Sequence, residues 1–67
     1  MMIRVNGNAR PFKRASVADL LVEEGHDPRK HGIAIAINGE VVPRATWPVR
    51  ELAPGDVVEV VGAVQGG

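Results

Sequence analysis

Two Asn-Gly dipeptides, Asn6-Gly7 and Asn38-Gly39, each follow a run in which large apolar residues alternate with other types. Asn-Gly suits both central positions of a type I′ turn, where φ must be positive twice, so each pair marks a β-hairpin. Ile3 and Val5 bracket Arg4 before the first turn; Ile33, Ile35 and Ile37 bracket Ala34 and Ala36 before the second. Both runs have the period of two expected of a half-buried strand. With 67 residues the chain is one domain, and two hairpins leave room for little more than one short helix. A domain of this size buries only about 60% of the surface its unfolded chain exposes, so its core is thin.

The remaining punctuation agrees with that plan. Ala9–Arg14 reads as the return strand of the first hairpin, and Pro11, which cannot donate to a ladder, places it at a sheet edge. Ser16 is an N-cap candidate with Asp19 three residues on, a capping-box variant. Val17, Leu20 and Leu21 then form one apolar stripe, and Gly25 suits the left-handed residue after a helix, so the spacing predicts a helix over 17–24. After the second turn, Val41-Val42 makes a short strand stopped by Pro43. Residues 44–53 form a connection holding Trp47 and Leu52. Pro54-Gly55 suits a type II turn, and Val57–Val61 is the last strand. Four or five strands with one helix covering one face make an α+β roll of the β-grasp kind.

Composition removes several classes of function. Hydrophobic residues make up 45%, too many for a disordered segment. There is no cysteine, hence no disulfide, thiolate metal site or catalytic thiol. That favours the cytoplasm. No apolar run approaches the roughly 18 residues of a bilayer span, and Met-Met-Ile-Arg-Val-Asn-Gly has no signal-peptide stretch, so no membrane partner is expected. The net charge is zero but comes in blocks: +4 over 1–14, −4 over 15–27, +3 over 28–50 and −3 over 51–67. With Phe12 and Trp47 the only aromatics and no clustered basic stripe, nucleic-acid binding is disfavoured. His26 and His31 lie five apart without a third ligand and read as solvated loop residues, not a metal site. No Ser/His/Asp set or phosphate-cradling loop is present, so no catalytic residue is assigned.

The chemistry lies in the last residues. Residues 1–62 form the domain, and 63–67, Ala63-Val64-Gln65-Gly66-Gly67, form a flexible tail. A terminal Gly-Gly has no Cβ at either position, so an extended backbone can enter a narrow channel and bring its carboxylate to another enzyme's ATP. Alone, the pair also fits a frayed end.

At this point the chain resembles the ThiS family, the sulfur carriers of thiamine biosynthesis within the ubiquitin-like β-grasp proteins. The residues concerned are Ile3-Arg4-Val5-Asn6-Gly7 and Ser16-Val17-Ala18-Asp19-Leu20-Leu21, then Ala36-Ile37-Asn38-Gly39-Glu40-Val41-Val42-Pro43-Arg44 with Trp47. Gly55-Asp56-Val57-Val58-Glu59-Val60-Val61 and Gly66-Gly67 complete the pattern. The resemblance implies a protein cosubstrate and not an enzyme. An E1-like adenylating enzyme (ThiF type) would use ATP to adenylate the Gly67 carboxylate. A sulfur donor protein would then leave a thiocarboxylate at Gly67, and thiazole synthase (ThiG type) would accept the sulfur. Val64, Gln65 and Gly66 would thread the partner's active site, and the chain itself would hold no cofactor. Molybdopterin or cysteine synthesis are alternative destinations for the sulfur, and a noncovalent β-grasp interaction module is the alternative outside the carrier class.

Strand parity assigns the faces. Ile33, Ile35 and Ile37 should lie under Val17, Leu20 and Leu21, with Val58 and Val60 on the same side. That leaves Ala34, Ala36, Val57, Glu59 and Val61 on the open face, an apolar patch on the strand that feeds the tail and the expected docking surface for both partners, whose basic side chains would meet Glu51, Asp56 or Glu59. Trp47 reads as a lid over the thin core. Arg44 is left between a bond to a loop carbonyl and an ion pair with a partner.

Overall fold

The computed structural model describes residues 1–13 and 15–62. Strands β1 (Met2–Val5) and β2 (Asn8–Pro11) precede helix α1 (Val17–Glu23), followed by β3 (Ile33–Ile37), β4 (Glu40–Val41), a 3-10 turn at Arg44–Thr46 and β5 (Val57–Gly62). The five strands form one mixed sheet in the order β2-β1-β5-β3-β4. The last strand is therefore the central one. It runs parallel to β1 and antiparallel to β3.

Both hairpin turns have the backbone the sequence demands, with φ of 51° and 86° at Asn6 and Gly7 and 52° and 85° at Asn38 and Gly39. β2 is an edge strand, as Pro11 requires, but it spans Asn8–Pro11 and not 9–14. Backbone pairing continues one residue further, the Phe12 N–H donating to the Met1 carbonyl at 2.8 Å and the Met1 amine to the Phe12 carbonyl at 3.1 Å, while the Phe12 side chain is buried. The second return strand is Glu40–Val41, one residue earlier than expected, because Val42 turns into the core.

The helix is closed at both ends by its own sequence. The Ser16 hydroxyl accepts from the Asp19 N–H at 3.2 Å while Asp19 Oδ2 accepts from the Ser16 N–H at 3.1 Å, a reciprocal capping box. At the other end Gly25 takes φ +86°, the His26 N–H donates to the Leu21 carbonyl and the Gly25 N–H to the Val22 carbonyl. This pattern of bonds is the Schellman motif, which ends the helix at Glu23 with Glu24 as its cap. Two further N-terminal N–H groups, of Val17 and Ala18, donate to the carbonyls of Arg50 and Trp47. The connection after the 3-10 turn thus supplies the acceptors that a short helix lacks.

Ile3, Val5, Ile35, Ile37, Val58 and Val60 from the sheet and Val17, Leu20 and Leu21 from the helix form one buried cluster. Ile33 only packs at its margin. Phe12, Val42, Trp47 and Leu52, all outside the described strands and helix, complete it. Trp47 is 2% exposed and its indole N–H donates to the Val42 carbonyl at 3.0 Å. Arg44 lies 4.4 Å over the Trp47 ring and donates to the Pro28 carbonyl at 2.7 Å. That geometry settles its structural role: it ties the 44–53 connection to the loop before β3. No helix among the described residues is long and apolar enough to cross a membrane.

Candidate functional site

The face of the sheet turned away from the helix carries Ala34, Ala36, Val57, Glu59 and Val61. The ladder register brings them together: Ala36 is opposite Glu59, Ala34 is opposite Val61, and Val41 of β4 is opposite Ala36. Val57, Val61 and Val41 are 42%, 64% and 77% exposed, and Arg4 of β1 is opposite Val57. Period-two alternation places these side chains where parity said they would be, while Val58 and Val60 are buried. The patch borders the strand from which the tail continues.

Of the acids expected to meet a partner, Asp56 belongs elsewhere. It is 9% exposed, its Oδ2 accepts from the Ala53 N–H at 2.8 Å, and its Oδ1 accepts from the Asn38 carboxamide at 3.0 Å. Oδ2 closes the 53–56 turn, whose Gly55 takes φ +84° and whose Asp56 N–H donates to the Ala53 carbonyl, and Oδ1 ties that turn to Asn38 of the second hairpin. Asp56 is a turn-closing residue and not a docking acid. Glu59, by contrast, is exposed on the patch, and its carboxylate makes no hydrogen bond or ion pair among the described residues.

The sequence did not disclose how β5 is held at Val57 and at Val60. The Asn38 N–H donates to the Val57 carbonyl at 2.8 Å and its Oδ1 accepts from the Val57 N–H at 3.0 Å. Asn6 does the same farther along, its carboxamide pairing with both backbone groups of Val60. The signal was present as asparagine in place of aspartate at each turn, since only the amide both donates and accepts.

His26 and His31 line one cleft with Lys30, Asp27, Ile33 and Gly62. No group of three or more potential metal ligands occurs among the described residues. Asp27 is held below its usual carboxylate range by the Arg29 side chain, which donates to it at 3.1 Å, and by the Arg29 backbone N–H at 2.9 Å. Arg10 of β2 reaches the helix end, donating to Glu23 at 2.6 Å and also to Glu24; these bonds raise its pKa. Val64, Gln65, Gly66 and Gly67, the expected threading and modification residues, lie outside the described residues.

The chain is similar to known proteins over its whole length. The ThiS family model matches residues 3–67. The sulfur carrier protein ThiS of Thermus thermophilus is 38% identical over 66 residues, covering 98% of this chain and all of that one. The crystal structure of the thiamine biosynthesis protein ThiS from Geobacter metallireducens superposes with a TM-score of 0.80 at 26% identity, covering both chains fully. A solution structure of a Geobacter metallireducens thiamine biosynthesis protein gives 0.77 at 26% identity, covering all of this chain and 87% of that one. With the five-stranded sheet, its single helix and the family match from residue 3 to residue 67, the chain belongs to the ThiS family, of ubiquitin-like β-grasp fold.

Proposed function

We propose that this protein is a cytoplasmic sulfur carrier that delivers sulfur for the thiazole moiety of thiamine. The observation that carries the reading is the family match, which runs through β5 to Gly66-Gly67. An E1-like partner of the ThiF type binds ATP, and the Gly67 carboxylate attacks its α-phosphate, releasing pyrophosphate. Sulfur delivered by the donor at the sulfide level attacks the acyl carbon, the acyl–oxygen bond to AMP breaks, AMP leaves, and a thiocarboxylate remains. Thiazole synthase of the ThiG type then takes that sulfur. On this chain the sulfur is held by an acyl group, so the absence of cysteine costs nothing.

In this reading the domain's own contribution is presentation. Val64, Gln65 and Gly66 thread the partner's channel, and the patch of Ala34, Ala36, Val57, Glu59 and Val61 docks against the partner's surface. Both partners use this one face and exclude each other. The test is ATP–pyrophosphate exchange with the adenylating partner: deleting Gly67 abolishes exchange without unfolding the domain, and undiminished exchange overturns the carrier reading. Intact mass after addition of ATP and a sulfur donor rises by about 16 Da, one oxygen replaced by sulfur, if the thiocarboxylate forms at a carboxylate left free of side-chain hindrance.

A further inference from the structure

Glu59 sits in the middle of the apolar patch. Val57 and Val61 flank it along β5, Ala36 is opposite on β3, and Val41 lies beyond Ala36 on β4. Its carboxylate makes no bond among the described residues. Arg4, the cation nearest in register on the same face, is committed to the Gly7 carbonyl at 3.1 Å. For the folded domain alone this carboxylate is solvated and nearly free of cost. For a surface that covers the patch it is not, because a carboxylate withdrawn from water without a partner is strongly unfavourable. An apolar surface with no cation is therefore rejected, whereas one that sets a guanidinium or ammonium over Glu59 is accepted.

We propose that Glu59 is a specificity-determining residue. It admits only a protein partner whose apolar docking surface carries an Arg or Lys side chain aligned with the middle of β5. This rests on the carrier reading above and specifies its docking partner. The position matters because Glu59 is three residues before Gly62, on the strand that continues into the tail. A single charge contact inside an otherwise featureless patch fixes the sliding register of the two surfaces, and with it how far the tail reaches. Valines and alanines alone would permit docking shifted by a strand spacing.

Calorimetric binding of the full chain to the adenylating partner tests this directly. Glu59→Lys raises Kd at least about tenfold, since a like charge then meets the partner's cation. Glu59→Gln weakens binding less and flattens its salt dependence, and Glu59→Asp restores part of both. In pyrophosphate exchange Glu59→Lys raises KM for the carrier and also lowers kcat at saturation, because the docking register that sets the tail's reach is lost. The melting temperature stays at the parent's value, because the Glu59 carboxylate has no partner among the described residues to lose. Binding of Glu59→Lys within about twofold of the parent, or an unchanged salt slope for Glu59→Gln, overturns the proposal. The chain lacking Gly67 separates the two readings: binding retained with exchange lost supports the carrier, and undiminished exchange sinks the carrier while the Kd series still judges Glu59.

Discussion

The Asn6 carboxamide extends the β1–β5 ladder past the end of β1. Its Oδ1 accepts from the Val60 N–H at 2.8 Å and its Nδ2 donates to the Val60 carbonyl at 3.2 Å, across 54 positions of sequence. The Asn6 N–H still donates to the Val58 carbonyl at 2.9 Å, and its side chain supplies the next two bonds, which backbone groups would make had the chain not turned away. Asn6→Gly keeps the left-handed backbone and removes both bonds, so it isolates their contribution. The expected loss is about 1–2 kcal/mol in urea unfolding, with faster amide exchange at Val60. Unchanged exchange at Val60 would show that the pair adds nothing.

Trp47 is the largest side chain of a core with little redundancy. Trp47→Ala removes the indole and leaves the Val42 carbonyl unpaired, an expected loss of about 3–5 kcal/mol, which approaches the whole stability of a small domain. Arg44→Lys keeps the charge but loses the planar group over the ring and the reach to the Pro28 carbonyl. It should cost less, about 1–2 kcal/mol. Thermal melts that ranked Arg44→Lys below Trp47→Ala would contradict this order.

Asp27 supplies a pH signature. Its folded pKa is lowered by Arg29, so the unfolded state binds more protons as pH falls through that range. The associated stability is present above the unfolded value of about 4 and is lost as pH falls through the lower folded value. Asp27→Asn is therefore slightly less stable than the parent at pH 7, and the gap closes on acidification. The pair is exposed and the effect small. A gap that widened toward acid would reverse the sign assigned here.

The exposed face makes a separate claim. Val57→Arg leaves the melting temperature nearly unchanged, because the residue is 42% exposed and its strand neighbours carry the core. It weakens binding to both the adenylating enzyme and the thiazole synthase, measured by competition between them. Simultaneous capture of both partners on one carrier would refute a shared surface.

In the tail, Gly66→Val blocks adenylation while Gln65→Ala is milder, because a β-branched residue both stiffens the backbone and widens it. Equal turnover of the two variants, read by pyrophosphate exchange, would remove channel width as the constraint.

What was legible in the sequence was what neighbours decide. The positive φ values at Asn6-Gly7 and Asn38-Gly39, the Ser16–Asp19 cap and the alternation of Ile35 and Ile37 with Ala34 and Ala36 are settled within a few residues. Pro11 at an edge followed from a missing N–H. Phe12, Val42 and Leu52 have no periodicity to announce them, being single apolar residues in irregular segments that the tertiary fold turns inward. The inward turn of Asp56 was hidden for a related reason: its carboxylate is occupied by Ala53, three residues back, and by Asn38, eighteen residues away. The end of β2 was set by its partner strand: Phe12 still exchanges backbone bonds with Met1, and among the described residues none precedes Met1 to pair with Lys13. Arg10's reach to Glu23 and Glu24 depends on where the helix end lands, which no local pattern encodes.

The central position of β5 has a mechanical consequence. Tension applied through the segment after Gly62, as when a partner grips or releases it, loads β5 along its length. Hydrogen bonds to β1 and β3 are then strained in shear and share the load, instead of opening one at a time as they would along a peeled edge strand. Asn6 fastens the strand at Val60, nearer the load, and Asn38 fastens its first residue, Val57, so slippage must break both fastenings together. In the carrier reading, the end that partners take up is rooted where the sheet is hardest to unravel.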